Sequence, residues 1–382
     1  MDKIRVLYDH QIFDLQKFGG ISRYFAEIIS NINEDEAETE IALRFSDNFH
    51  LYEKRLNKEI LKKEKKNIPN RLCKKIFHSK KTLRNYFSAT NEANSIQQIK
   101  TGNYDIFHPT YYDTYFLDSI GNKPYVVTVH DMIHELYLDY DPVILQKREI
   151  IKQASHIIAV SEHTKKDVME LLSIPEEKIT VIYHGSPQLY DDGEEYTGKE
   201  RYILFVGNRL NYKNFKFTVY AIADTLKNED IYMLCTSQPF GYEEQKFLEG
   251  MGIADKVKYC DLQKISLKSL YRNALAFIYP SIYEGFGIPI LEAWSQNCPV
   301  LTANASCFPE IGGDAVLYFN PKSKKEIENA LRRIANDAEL RKNLTEKGRI
   351  RNSLFTWEKS AKETLDVYKK VLYQREGTKT HL

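Results

Sequence analysis

Pro280-Ser281-Ile282-Tyr283-Glu284-Gly285-Phe286-Gly287-Ile288-Pro289-Ile290-Leu291-Glu292-Ala293 is the stretch on which the reading of this chain turns. The residues before it, Ala274 to Tyr279, form a short apolar run of the kind used by a buried parallel strand. After it, Pro289 fits a first helical position, and Ile290, Leu291, Ala293 and Trp294 supply an apolar face. The order is strand, glycine-bearing loop, helix. Gly285 and Gly287 let the backbone approach a ligand closely, and a helix start offers unpaired N–H groups and a positive dipole end, an anion site in outline. Glu284 in the loop and Glu292 one turn into the helix do not suit an anion, so they are expected to face hydroxyls or a developing cation on the same ligand. A ligand with phosphate at its centre and hydroxyls at both ends is a nucleotide-sugar.

The totals frame this reading. A chain of 382 residues suggests roughly two domains of about 150–200 residues. A hydrophobic share of 42% and a charged share of 28% are those of an ordinary globular protein, and a formal net charge of +1 singles out no partner. The five cysteines form no CxxC pair and read as reduced core thiols, which points to a cytoplasmic setting. The start, Met1 to Tyr8, is a strand opening rather than a signal peptide. No apolar run approaches the roughly 20 residues of a membrane span, so any membrane contact is expected to be peripheral.

In the first half, Ile4 to Tyr8 reads as a strand, and Ile21, Tyr24, Phe25, Ile28 and Ile29 recur at helical spacing. Gly19 and Gly20 therefore close the first strand-to-helix turn, which in an open parallel sheet opens onto the ligand crevice, although a glycine pair is most often a plain turn. From Lys54 to Arg84 there are thirteen Lys or Arg against two Glu, with apolar residues interleaved. The ordinary reading is a solvated helical excursion; the sharper one is a surface for anionic lipid or a phosphate-bearing acceptor. No recognition motif accompanies it, so nucleic acid is not expected as a partner. The strand Tyr125 to Val129 ends in His130-Asp131, where a histidine can bond a sugar hydroxyl or aid proton transfer, or can be merely structural. Asp139-Tyr140-Asp141 looks like a metal-binding DxD, but with Pro142 following it reads as a turn with a helix cap. No metal site is expected. Strands at Tyr104 to His108 and Ser155 to Val160, and the run Ile174 to Tyr183 leading into another short strand, complete this half, and the acidic stretch Asp191 to Gly198 marks a domain boundary.

The second half restarts the pattern. Tyr202 to Val206 reads as a strand, followed by Gly207-Asn208-Arg209-Leu210-Asn211-Tyr212-Lys213-Asn214. Arg209 as a planar fork and Lys213 as a point charge are both candidates to reach a pyrophosphate. Further strands are expected at Ile231 to Cys235, Lys256 to Cys260, Pro299 to Thr302 and Ala315 to Phe319, with a loop from Asn304 to Asp314. Helical patterns run from Lys322 to Gly348 and from Trp357 to Tyr373.

Gly207 to Asn214, the Glu-Gly-Phe-Gly-Ile-Pro-Ile-Leu-Glu run, Ser306-Cys307-Phe308-Pro309-Glu310 and Thr356-Trp357 strongly resemble family-4 retaining glycosyltransferases of the GT-B fold, and the resemblance covers essentially the whole chain. It implies an α/β fold of two Rossmann-like β/α/β domains facing each other across a cleft. An acceptor-binding domain over 1–190 and a donor-binding domain over 191–356 would be followed by a helix, 357–382, crossing back to the first domain. By the same resemblance Glu284 touches the transferred sugar and Glu292 the ribose hydroxyls. The amides of Gly285, Phe286, Gly287 and Ile288 meet phosphate and sugar, Arg209 and Lys213 hold the pyrophosphate, His130 lies near the sugar, and Gly19-Gly20 close over phosphate and acceptor. His130 and Glu284 are the expected catalytic pair. One departure is that Asn208 stands where the family's arginine usually follows the strand-end glycine, with Arg209 one place later. Gly-Asn-Arg and Gly19-Gly20-Ile21-Ser22-Arg23 look like mannosyltransferases of bacterial surface polysaccharide. The expectation is a metal-independent, cofactor-free transfer of a hexose, by lean mannose from GDP-mannose, to a saccharide or lipid-linked saccharide at the inner face of the membrane. The alternatives are the same transfer from a UDP-sugar carrying glucose, galactose or an N-acetylhexosamine, and a non-catalytic nucleotide-sugar-binding protein. A phosphorylase would need a lysine-bound pyridoxal site, which nothing in the sequence suggests.

Overall fold

A computed structural model of the chain describes residues 3–56, 80–138, 140–189 and 193–379. The chain divides into two compact units, the first made of Met1–Val160, Thr164–His184 and Trp357–Leu382, the second of Ser161–His163 and Gly185–Thr356.

The first unit holds two three-stranded parallel sheets. One has the order β2-β1-β3, with β1 at Ile4–Tyr8, β2 at Ala37–Ile41 and β3 at Ile106–His108. The other has the order β4-β5-β6, with β4 at Val126–Val129, β5 at His156–Ala159 and β6 at Ile179–Val181. A parallel bridge between Phe107 and Tyr125 links β3 to β4. Every residue of β4 and β5 is buried, as expected of strands covered by helices on both faces. The helix Gly20–Asn31 lays Tyr24, Phe25, Ile28 and Ile29 on the sheet. The chain returns to this unit for its last helix, Trp357–Lys379, whose Leu365, Tyr368 and Val371 complete the same core. Polar contacts fix that docking: Tyr368 Oη lies 2.8 Å from Tyr8 Oη and 2.7 Å from His108 Nδ1, and Ser360 Oγ donates to the Tyr183 carbonyl at 2.5 Å.

The second unit is one six-stranded parallel sheet in the order β12-β11-β10-β7-β8-β9. Its strands are β7 (Arg201–Phe205), β8 (Ile231–Cys235), β9 (Val257–Tyr259), β10 (Ala276–Tyr279), β11 (Val300–Ala303) and β12 (Leu317–Phe319). The order reverses between β7 and β10, and in doubly wound sheets the crevice at that reversal, beyond the carboxyl ends of the strands, is where ligands bind. The two loops that leave these strands are Gly207–Lys213 and Pro280–Gly287, the two stretches singled out in the sequence. The span Lys322 to Gly348, read as one helical pattern, is two helices, Lys324–Asn336 and Ala338–Asn352. Asp337 breaks it by accepting a hydrogen bond from the Leu340 amide at 2.8 Å, an N-cap inside an otherwise periodic run. The expected loop from Asn304 to Asp314 contains a short helix, Phe308–Gly312.

Candidate functional site

β10 ends at Tyr279 and the chain turns through Pro280–Gly287 into the helix Ile288–Ser295. Gly287 caps that helix with φ +97°, a backbone position a side chain resists, and a Cβ there would stand 3.2 Å from Phe308 Cε1. The loop is braced. Ser306 Oγ accepts from the Glu284 amide at 3.2 Å and donates to the Glu284 carbonyl at 2.6 Å, and Ser161 Oγ donates to the Gly285 carbonyl at 2.6 Å. Glu284 is thus held by both of its backbone polar groups.

Its side chain meets the expected cation. Lys213 Nζ donates to Glu284 Oε1 at 2.6 Å, with side-chain exposures of only 14% and 11%. The ammonium also lies 5.3 Å from the centre of the Tyr212 ring and 5.6 Å from that of Tyr279. Burial, the Glu284 charge and a hydrogen bond to it push the Tyr279 phenol well above its ordinary value. Glu292 sits in the second turn of the helix, where the Tyr271 hydroxyl donates to its Oε2 at 3.2 Å; burial, then the Glu292 charge, likewise raise Tyr271.

Arg209 stands apart from this pair. Its guanidinium forks onto Glu244, Nε to Oε1 at 2.6 Å and Nη2 to Oε2 at 3.0 Å, and donates to the carbonyls of Gln238 and Pro239 at 3.0 and 3.1 Å. It also stacks 4.6 Å from the centre of the Phe240 ring, and its side chain is 2% exposed. The planar fork expected for a pyrophosphate is already filled by a carboxylate, and Lys213 is the cation that lies beside Glu284.

The remaining expected residues belong to the first unit. His130 follows β4, its backbone amide donating to the Tyr112 hydroxyl at 3.2 Å. Its ring stacks on His184 at 6.0 Å with 6° between planes, and the edge of Tyr24 meets both rings at 5.0 Å. Burial, then the neighbouring His184 and His108, hold His130 well below the ordinary histidine value, so the ring is neutral, and its Nε2 is buried with no hydrogen-bond partner among the described residues. Behind it lies a buried ion pair. Lys147 Nζ donates to Glu135 Oε2 at 2.9 Å and to the Asp131 carbonyl at 2.6 Å. Gly19 and Gly20 open the helix Gly20–Asn31; Gln16 Oε1 accepts from the Ser22 amide at 3.1 Å, and a Cβ on Gly19 would strike that oxygen. That oxygen is the far end of a flexible side chain, so a larger residue at 19 would displace the Gln16 contact rather than the backbone.

The structure brings Lys213, Glu284, Gly285, Phe286, Gly287, Ile288 and Glu292 together at the reversal point of the second sheet, and commits Arg209 to Glu244. Tyr271, Tyr279 and Lys147 escaped the sequence reading. The two tyrosines lie in a buried helix and strand and look like core, and Lys147 sits on the same helical face as Ile150 and Ile151, the one available signal. Asp141 Oδ1 accepts from the Val143 amide at 2.9 Å, a turn interaction, while Asp139 lies outside the described residues. The basic stretch Lys54 to Arg84 also lies almost wholly outside them, as does Tyr190 to Asp192 at the expected boundary. Among the described residues no group of three or more His, Cys, Asp or Glu is arranged to hold a metal ion.

Residues 190–351 match the family described as glycosyl transferases group 1, and residues 18–186 match Glycosyltransferase Family 4. The O-antigen chain mannosyltransferase RfbU of Salmonella typhimurium is 30% identical over 246 residues, covering 57% of this chain and 67% of that protein. The O-antigen chain mannosyltransferase B of Escherichia coli is 26% identical over 265 residues, covering 64% of this chain and 70% of that protein. Among solved structures, Anabaena Alr3699/HepE in complex with UDP and glucose matches with a TM-score of 0.66 at 16% identity, over 96% of this chain and 100% of that one. At that identity the likeness speaks to the fold alone.

Proposed function

This chain belongs to glycosyltransferase family 4 and has the GT-B fold, and on that premise we propose that it moves a hexosyl group, by lean mannose from GDP-mannose, onto a saccharide or lipid-linked saccharide in bacterial surface polysaccharide synthesis. The transfer retains anomeric configuration and needs no metal. The observation that carries the reading is the 2.6 Å Lys213–Glu284 pair beside the glycine-capped helix start.

In the proposed step the bond between C1 and the phosphate oxygen breaks, and its electron pair goes to the leaving phosphate. The acceptor hydroxyl bonds to C1 on the same face and its proton passes to that phosphate. Lys213 and the amides of Gly285, Phe286, Gly287 and Ile288 face the developing negative charge as fixed cation and dipoles, which supports independence from a metal. Glu284, held by Ser306 and paired with Lys213, orients the sugar. Glu292 serves the ribose hydroxyls. For the first unit we propose acceptor binding, with neutral His130 and the Gly19-Gly20 turn serving sugar and phosphate. Lys213 takes the pyrophosphate role that Arg209 shared on sequence grounds. Work at the inner face of a membrane, on a lipid-linked acceptor, belongs to the same proposal; among the described residues no helix is long and apolar enough to cross a membrane.

A UDP-sugar donor is the second reading, the alternative that the sequence leaves open. Thermal shift of the full chain against GDP-mannose, UDP-glucose and ADP-glucose separates the two, because a ligand at a hundred times its Kd stabilises by about 2.7 kcal/mol. Stabilisation by GDP-mannose alone supports the mannose reading, and stabilisation by UDP-glucose alone replaces it. A chain that hydrolyses and transfers no donor would be the non-catalytic binder.

A further inference from the structure

The backbone is held on both sides of the His130 side chain. Its amide donates to the Tyr112 hydroxyl at 3.2 Å, and that hydroxyl donates on to the Thr128 carbonyl of β4 at 3.3 Å. Burial, then the Asp131 charge, hold the Tyr112 phenol well above its ordinary value, so the hydroxyl keeps the proton this contact needs. On the other side Lys147 Nζ donates to the Asp131 carbonyl at 2.6 Å. Asp131 Oδ1 accepts from the Ile133 amide at 2.9 Å, which closes the turn into the helix Ile133–Tyr137. The chain leaving β4 is thus tethered before and after the imidazole.

Lys147 stands at the centre of this frame. It comes from the helix Val143–Gln153 and its side chain has no exposed surface, while its partner Glu135, on the helix Ile133–Tyr137, is 1% exposed. Nζ reaches Glu135 Oε2 at 2.9 Å and lies 5.2 Å from the centre of the Tyr112 ring. One ammonium therefore meets the chain just after His130, the helix that follows it and the tyrosine that holds the His130 amide.

The pair is poorly built for stability. Taking two charges out of water is repaid by their attraction only where their remaining hydrogen bonds are made. Glu135 Oε1 is buried with no hydrogen-bond partner among the described residues, so that condition fails on the acidic side. On the basic side a donor goes to a backbone carbonyl rather than to the second carboxylate oxygen. An apolar pair of similar volume would fill this space, but it would leave the Asp131 carbonyl unpaired and loosen the chain on which His130 stands. What Lys147 adds is position.

We propose that Lys147 is a positioning residue for sugar transfer: held by Glu135 and Tyr112, it fixes the Asp131 carbonyl and, through it, the direction in which the His130 ring faces the sugar. The proposal rests on the glycosyl-transfer reading for the work of His130. A ring on an untethered loop has many settings, and tethers on both sides of it remove most of them before substrate arrives. A displacement of about 1 Å at a reacting centre can cost about a hundredfold in rate, so a residue that never meets the substrate can govern kcat. Donor binding is assigned to the second unit, so the donor KM should be spared.

The test is a double-mutant cycle on the full chain, Lys147→Met, His130→Ala and both together. Hydrolysis of GDP-mannose and of UDP-glucose is followed per folded molecule, beside NMR of selectively labelled histidine rings. The expected result is that Lys147→Met lowers kcat about tenfold or more with the donor KM nearly unchanged, and less than about twofold when His130 is already alanine. A merely structural residue would lower kcat alike in both backgrounds. The His130 ring signals, assigned by their loss in His130→Ala, should move in Lys147→Met and return in part in Lys147→Arg, which restores a donor to the carbonyl. If Lys147→Met melts early because Glu135 is left unpaired, Lys147→Met with Glu135→Leu takes its place in the cycle. Unchanged kcat, equal losses in both backgrounds, a loss confined to KM, or unmoved ring signals overturns the proposal. No donor turnover in the wild-type chain sinks the transferase reading and the proposal with it; turnover intact with no coupling between Lys147 and His130 sinks the proposal alone.

Discussion

Lys213 and Arg209 lie four residues apart and looked equivalent in the sequence, yet the structure gives them different work. Lys213 is placed against Glu284 at the reversal point, whereas Arg209 is folded onto Glu244 and two backbone carbonyls. Lys213→Ala should therefore lower kcat/KM by about a hundred to a thousand-fold, some 2.7–4 kcal/mol of barrier, as steady-state transfer assays would show, beside the stability cost of leaving the largely buried Glu284 unpaired. Arg209→Ala should differ in sparing the chemistry. Losing one partner of a largely buried pair should destabilise the second unit by about 2–4 kcal/mol in urea titrations, with transfer by the folded fraction little changed. Equal kinetic losses in both would mean that Arg209 leaves Glu244 when donor binds. The distinction was illegible in the sequence because Glu244 and Pro239 are brought to Arg209 only by the return of the chain through β8. Lys213, Glu284, Gly287 and Glu292 were legible because strand, loop and helix follow one another without interruption and local patterning alone sets their positions.

At the scale of elements, the helix that follows the Pro280–Gly287 loop is clamped from behind. A Cβ on Gly348, in the helix Ala338–Asn352, would stand 2.4 Å from Trp294 Cδ1 in the helix Ile288–Ser295. Gly348→Ala should cost about 1–3 kcal/mol by overpacking, although alanine is otherwise the better helix former, and should raise the donor KM by tilting the loop. Differential scanning calorimetry with donor titration checks both parts. Gly287→Ala should cost a similar amount by forcing a side chain into φ +97°, and its loss should fall on kcat, since the amides of the cap themselves move. Most strands were readable as apolar runs. β2 was not: its sequence, Ala37-Glu38-Thr39-Glu40-Ile41, carries two glutamates on a strand at the edge of its sheet, where charge discourages pairing with another chain and erases the apolar signature. The helix Phe308–Gly312 was read as loop because five residues offer too little periodicity to count.

For the whole molecule, the clearest consequence is pH. Six described histidines of the first unit are pushed down by burial, His108 and His184 to about 3, His50 and His156 to about 4, His10 below its ordinary value and His130 well below it. Unfolded, each would titrate near 6.5, so between that value and about 4 the unfolded chain binds protons that the folded chain refuses, and stability falls as pH falls. Asp14, raised by burial to about 7, and Glu27, also raised by burial, work against this, because they keep their protons when folded at pH values where the unfolded chain has lost them. The histidines outnumber the raised carboxyls, so stability should fall as pH drops below 6, which urea titrations followed at pH 7, 6 and 5 would register. All six lie in the first unit, so acid should unfold that unit first. The pairing of two β/α alternations was legible from the repeated strand–glycine–helix openings. The completion of the first core by residues from the far end of the chain was implied only by the family resemblance, because nothing in a helix's own pattern says which sheet it will cover. That return of Trp357–Lys379 sets the order in which the protein can mature on the ribosome. Apart from Ser161–His163, which is made earlier, the second unit is one run, Gly185–Thr356, and can close as soon as it emerges. The first, although synthesised earlier, must wait with Tyr8, Phe25 and His108 uncovered until the last turns of helix are released. Stop codons placed after Thr356 should yield nascent chains in which the first unit is cut by protease and the second is spared.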